Sequence, residues 1–347
     1  MHRVHAVDWL RGLALLVMIQ THSLVLLSPD THADPLFRWL VRIDGLVAPA
    51  FILCAGFALA LMQCRAALKG ERRPQAIKSL KRIGEVLLAA TFVNAVWFPL
   101  ISQPKWLFRI DILQCIGLSL LLVLPLLVWL SSRPIVLRWV MLALSLTVFA
   151  IAPFFEKVDG FLGLFLNPQP GFLEASTGSV FPLLPWAGYV FMGASIGASV
   201  AAMTREADLW EWLGLLAFIG VTLWVQQSEL NLAYPPHTFW VTNPANAAQR
   251  WALVVGLIAL FRIIEIRRPS AAQSTALKWL AAFSASSLSA YVFHEMLLYQ
   301  RTFGIFTRLW REQANWPQYA VLLLALIIAT WLCVRLTSWA TRRRAAS

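Results

Sequence analysis

The stretch Val7–Leu27, VDWLRGLALLVMIQTHSLVLL, decides how this chain is read. From Trp9 to Leu27 it carries one permanent charge, Arg11. That length approaches the ~20 apolar residues a helix needs to cross ~30 Å of hydrocarbon. Similar runs recur at Leu46–Met62, Gly84–Ile101, Ile112–Leu130, Ile135–Ala152, Val180–Ala202, Leu209–Val225, Trp251–Ile264, Trp279–Tyr299 and Tyr319–Leu336. The seventh and eighth runs are short. Lipid offers a backbone no hydrogen bonds, so a spanning segment must satisfy its own amides, and a helix does so within one segment. The expected fold is an all-α, polytopic bundle of about ten transmembrane helices, in a single domain over residues 1–347.

Composition agrees. The 347 residues are 59% hydrophobic and 13% charged, with mean hydropathy +0.67. A soluble domain carries roughly twice that share of charge. The net charge of +12 does not point to nucleic acid, because the cations sit in short segments between apolar runs. Such placement sets orientation. With the N-terminus inside, 20 of the 29 lysines and arginines fall on the cytoplasmic side and nine outside. Both termini and the basic loop Arg65–Arg82 are therefore expected in the cytoplasm. The long segments Pro153–Ser179 and Gln226–Arg250 then lie outside, as passive connections or as walls of an external pocket. Tryptophans near run ends, such as Trp9, Trp251, Trp279 and Trp339, suit the membrane interface. No small-residue cleavage site follows the first run, so it is expected to remain as a span.

The four cysteines, Cys54, Cys64, Cys115 and Cys333, lie in or beside apolar runs without C-x-x-C spacing. They read as core residues, not a disulfide framework or a metal site. No P-loop or G-x-G-x-x-G is present. The suspects for chemistry are ionisable groups inside the spans, which are costly to keep there. His22 stands ~20 Å along the first helix from Trp9, and His294 ~22 Å along the ninth from Trp279, at 1.5 Å per residue. In this topology both reach the outer half of the membrane. Asp44, and Asp111 with Gln114, open the second and fourth spans at the same level. They would orient an imidazole or simply cap their helices. Arg42 and Arg109 are neighbours able to pair with those aspartates. On the inner side Arg11 reaches an anionic group or pairs with Asp8. The Arg65–Arg82 segment serves phosphate binding or plain topology and anionic-lipid contact.

The line VDWLRGLALLVMIQTHS, with Arg11 followed after ten residues by His22, resembles the acyltransferase-3 family. The patches RIDGLVAPAFILCAGFALAL, RIDILQCIGLSLLL and FPLLPWAGYVFMGASIGA resemble the related heparan-alpha-glucosaminide N-acetyltransferase family. SLSAYVFHEMLLY is similar to a motif of the wider superfamily. The resemblance covers about residues 5–200. It implies a transferase that takes an acyl group, acetyl by preference, from cytosolic acyl-CoA as co-substrate, with no bound cofactor or metal. The acceptor would be a hydroxyl or amine of a glycan or glycolipid on the far side of a bacterial inner membrane, with lipid and no nucleic acid as the other partner. By position, His22 is implied as catalytic with Asp44. Arg11, Arg109, Asp111, Gln114, Trp186 and His294 are implied as substrate-binding. Animal glucosaminide enzymes carry asparagine where His22 stands and a histidine in the next loop, where this chain has His32, so His32 is the rival. Two other classes compete: a glycan or lipid transporter lined by the same buried charges, and a haem-b protein with His22 and His294 as axial ligands.

The charge asymmetry generates a direct test. Topology reporters fused after Ser347 and near Gly70 should both give cytoplasmic signals, and an external signal at either reverses the orientation.

Overall fold

A computed structural model describes residues 4–97, 110–168, 178–270, 274–299 and 303–346. Its helices, in chain order, are α1 (His5–Ser23), α2 (Pro35–Asp44), α3 (Val47–Leu68), α4 (Arg72–Trp97), α5 (Ile112–Leu130), α6 (Pro134–Ile151), α7 (Gly163–Leu166), α8 (Leu183–Ala202), α9 (Glu206–Val225), α10 (Gln227–Ala233), α11 (Phe239–Thr242), α12 (Pro244–Arg267), α13 (Thr275–Ala285), α14 (Ser287–Tyr299), α15 (Ile305–Trp310) and α16 (Trp316–Ala346). The all-α polytopic architecture stands. Among the described residues, eight helical segments are long and apolar enough to cross a membrane: His5–Leu26, Pro35–Leu68, Ile112–Leu130, Pro134–Phe155, Leu183–Ala202, Glu206–Val225, Pro244–Arg267 and Trp316–Thr337.

The other two runs differ from expectation for identifiable reasons. The third is the distal part of α4, and its last residues lie outside the described ones. The basic stretch Arg65–Arg82 is largely helical rather than a loop: it forms the end of α3 and the start of α4. The turn between them is made by Gly70 at φ 76°, a left-handed conformation that glycine adopts without Cβ strain. The ninth run is two helices, α13 and α14, broken at Ser286 with φ −107° and ψ 21°. Ser284, Ser286, Ser287 and Ser289 crowd this point. Serine hydroxyls compete for nearby backbone groups and weaken a helix interior.

The chain divides into two compact units, residues 1–48 with 260–347 and residues 49–259. In the first, α1 packs against α2, α13, α14 and α16. A Cβ at Gly12 would strike the carbonyl of Leu280, so only glycine lets α1 and α13 approach this closely. Polar caps hold both ends of α1. At its start, the Glu265 carboxylate accepts from the backbone N–H of His5 at 2.9 Å and of Ala6 at 3.3 Å. At its end, orphan carbonyls take tyrosine hydroxyls, Tyr319 on Gln20 at 3.2 Å and Tyr299 on His22 at 2.7 Å. Just beyond, Val25 and Leu26 carbonyls accept backbone N–H groups of Glu312, Gln313 and Ala314, and Ser28 N–H returns to Ala314.

In the second unit α8 is buried along almost its whole length, with α5, α6 and α9 against it. Glycines on both helices admit α3: a Cβ on Gly193 of α8 would strike the Leu53 carbonyl, and one on Gly56 of α3 the Val190 carbonyl. Without a hydrophobic drive between helices in lipid, such close backbone packing is the main source of association. Leu88, Trp129, Phe218 and Val225 are exposed apolar side chains on the outer faces of this unit. That is what a lipid-facing surface requires. The two long segments meet within this unit. The Glu156 carboxylate accepts from the Thr238 N–H at 2.8 Å and from the Thr238 and Thr242 hydroxyls. They are therefore braced against each other.

Packing here is testable by adding one methyl group. Gly193→Ala should destabilise the detergent-purified protein by about 1–3 kcal/mol, the usual range for overpacking. Gly214→Ala, on an exposed face of α9 with nothing within 4 Å, should be neutral or raise the thermal midpoint, because alanine favours helix by about 1 kcal/mol. Thermal unfolding of the two variants side by side checks the contrast.

Candidate functional site

In the first unit, α1 presents His22 from its last turn, and α14 presents His294 and Glu295 from its middle. His294 and Glu295 are buried, with side chains 0% and 5% exposed, while His22 is 31% exposed. The three meet. His22 Nδ1 lies 2.6 Å from Glu295 Oε1 and 2.8 Å from His294 Nε2, and His294 Nε2 lies 3.3 Å from Glu295 Oε1. The two imidazoles are nearly parallel, 7° apart, with centroids at 5.1 Å. Tyr291 and Tyr299 set ring edges against His22.

Hydrogen-bond partners assign the protons. His294 Nδ1 lies 3.0 Å from the Ala290 carbonyl, which can only accept, so Nδ1 carries a hydrogen. In the neutral ring Nε2 then holds a lone pair. That lone pair and the Glu295 carboxylate are both acceptors facing His22 Nδ1, which donates between them. In the neutral ring His22 then keeps its lone pair on Nε2, and of the two imidazoles it is the more exposed. An imidazole held in one tautomer by a buried carboxylate is the base–orienter arrangement of general-base catalysis.

Asp44 joins this site from the end of α2. Its carboxylate faces Gln20, Thr21 and His22. Asp44 Oδ1 and Gln20 Nε2 are buried without a hydrogen-bond partner, an uncommon state for buried polar atoms. Arg11 sits farther back along α1. Its Nε donates to Ser284 Oγ at 2.6 Å, and its Nη2 lies 3.6 Å from Asp8. His32, the rival histidine, is exposed and stacks on Phe37 at 4.4 Å. Among the described residues no hydrogen bond or ion pair links His32 to a carboxylate. Two axial ligands on opposite sides of one iron would place their nitrogens about 4 Å apart. At 2.8 Å, His22 and His294 instead bond each other directly.

The remaining sequence-picked residues belong to the second unit. Asp111 caps α5, its Oδ1 accepting from Ile112 N–H at 2.7 Å, while Gln114 Oε1 accepts from Asp111 N–H at 3.2 Å. Gln114 Nε2 stays buried and unpartnered. Trp186 packs its ring on Phe181, lies 5.9 Å from the Arg250 guanidinium, and has its indole N–H buried without a partner. Arg109 lies outside the described residues. Sequence reasoning missed Glu295, although it follows His294 directly in an apolar run. The cost of an ionisable group in a span singles it out on the same ground as the histidines.

The fold and this site define a class: a helical membrane protein carrying a carboxylate-oriented imidazole between two of its helices. Residues 3–234 match the heparan-alpha-glucosaminide N-acetyltransferase catalytic family, and the chain belongs to it. No individual curated protein matches the sequence. Membership supports a membrane acetyltransferase.

The capping geometry separates two roles for Asp111. If it serves α5 alone, Asp111→Ala should cost about 1 kcal/mol of stability. Asp111→Ser, which also caps, should restore the thermal midpoint and the transferase rate together. A rate that stays low in a restabilised Asp111→Ser shows a second role, at the substrate.

Proposed function

We propose that this protein transfers an acetyl group from cytosolic acetyl-CoA to a hydroxyl or amine of an extracytoplasmic glycan, with His22 as general base. The observation that carries this reading is the contact of His22 Nδ1 with Glu295 at 2.6 Å. It turns Nε2 of the more open imidazole into a proton acceptor. His22 Nε2 takes the proton from the acceptor as its oxygen or nitrogen attacks the thioester carbonyl. The tetrahedral intermediate collapses, the carbon–sulfur bond breaks, and the imidazolium returns the proton to the departing thiolate. Glu295 holds the ring and stabilises its cationic state in between. Asp44, the second carboxylate facing the ring, adds to that field.

Arg11 precedes His22 by about three turns of one helix. It is proposed to steer the anionic part of the donor, with Ser284 and Asp8 fixing its guanidinium. Trp186, Gln114, Asp111, Arg109 and His294 are proposed to serve substrate binding. For Trp186 and Gln114 the support is a buried donor without a protein partner. The Lys and Arg asymmetry supports donor access from the cytoplasm and an acceptor outside.

Removing a general base typically costs ~10²–10⁴-fold in rate. His22→Ala should therefore lose most transfer of labelled acetyl from acetyl-CoA to envelope glycan at matched protein levels. Glu295→Gln should lose a comparable factor in kcat with KM for the donor little changed. His32→Ala should retain near wild-type turnover. A dead His32→Ala beside an active His22→Ala would move the base to the loop, and full activity in both would remove the acetyltransferase assignment of this site.

A further inference from the structure

We propose that His22, His294 and Glu295 also form a binding site for a divalent transition metal of the zinc type, and that metal there inhibits the enzyme. The donor set is two imidazole nitrogens and one carboxylate oxygen, and the three candidate atoms lie within 4.8 Å of one another. The separations are 2.6, 2.8 and 3.3 Å. A circle through three such points has a radius of about 1.7 Å. An ion with bonds of about 2.0–2.2 Å therefore sits about 1.2 Å off their plane, and the two His22 separations must open by less than about 1 Å, to about 3.4 Å, for the tetrahedral pyramid of three protein ligands with a fourth position left open. The second layer suits a metal equally. His294 Nδ1 is bonded to the Ala290 carbonyl at 3.0 Å. This outer hydrogen bond fixes the tautomer of a ligating histidine and turns its Nε2 lone pair to the ion. Nitrogen donors select zinc, cobalt, nickel or copper over magnesium or calcium. One carboxylate and two neutral imidazoles carry a single negative charge, which a divalent ion overcompensates while the open position takes water.

Binding requires loss of the proton that His22 Nδ1 shares with Glu295. Coordination through Nδ1 keeps the ring neutral when Nε2 takes up a proton from water in exchange, so the lone pair used for general-base work disappears. The inhibition, though not the binding, rests on the acetyl-transfer reading above.

The test uses the full chain, purified in detergent and stripped with a chelator. Zinc chloride is titrated calorimetrically, and cobalt chloride serves as a visible-absorption probe of coordination. The expected result is one zinc per chain and a thermal midpoint that rises with zinc. Magnesium and calcium should not compete. Glu295→Gln, which keeps size and a hydrogen-bonding head, should weaken zinc binding on the order of 100-fold or more, at least the loss seen for outer-layer partners. His294→Ala and His22→Ala should do the same, and His32→Ala and His237→Ala should bind as wild type. No stoichiometric zinc in the folded wild type overturns the proposal. So does binding that persists undiminished in Glu295→Gln and His22→Ala, since the metal then sits elsewhere. Transfer assays with and without zinc complete the experiment. Reversible inhibition lost in step with binding supports both statements. Zinc bound through these residues with transfer unaffected keeps the metal site and overturns His22 as the base.

Discussion

Hydrocarbon forms no hydrogen bonds, and each polar atom brought into it must find its partner inside the protein. Helices follow from that constraint for the backbone, and helix ends are where it bites hardest. The termini of α1 show the solution. Glu265 receives its first amides, and Tyr299 and Tyr319 donate to its last carbonyls. The same tyrosine that completes the backbone at His22 sets its ring edge against the imidazole. Capping the helix and aiming the histidine are therefore one piece of construction.

The constraint also explains why the ionisable groups cluster. A carboxylate buried as deeply as Glu295 is costly unless donors surround it. The Nδ1–H of His22, from a separate helix, is the imidazole donor it receives, and a backbone carbonyl fixes the tautomer of the neighbouring His294. A fully partnered buried network tolerates little rearrangement, which favours a site that must hold a proton acceptor in one place. Against this background the few unpartnered buried atoms stand out: Asp44 Oδ1 and Gln20 Nε2 beside the imidazole, Trp186 Nε1 and Gln114 Nε2 in the other unit.

Close backbone approach is the second theme. Gly12 lets α1 meet α13, whose Ser284 receives Arg11, and Gly193 with Gly56 lets α3 meet α8. In each case the missing Cβ is what brings two backbones together, and polar side chains nearby are positioned as a consequence.

The sequence by itself determined the membrane class, most of the spans, and the suspicion falling on His22, His294 and Asp44. Hydropathy and the cost of buried charge are properties of local composition, readable one segment at a time. It misread the basic stretch Arg65–Arg82 as a loop, because charge density marks a segment as wet without saying whether its backbone is helical. It ran α13 and α14 together, because an apolar window does not register the serines that break the helix. Tertiary structure alone decided which suspects share a site. His22 and Glu295 are separated by 272 intervening residues, and no periodicity links them. Nor does any local pattern reveal that the Ala290 carbonyl fixes a tautomer on His294, or that His32 rests on Phe37. Those outcomes depend on directions and distances of about 3 Å, set by helix packing, and a linear pattern of residue types does not contain them.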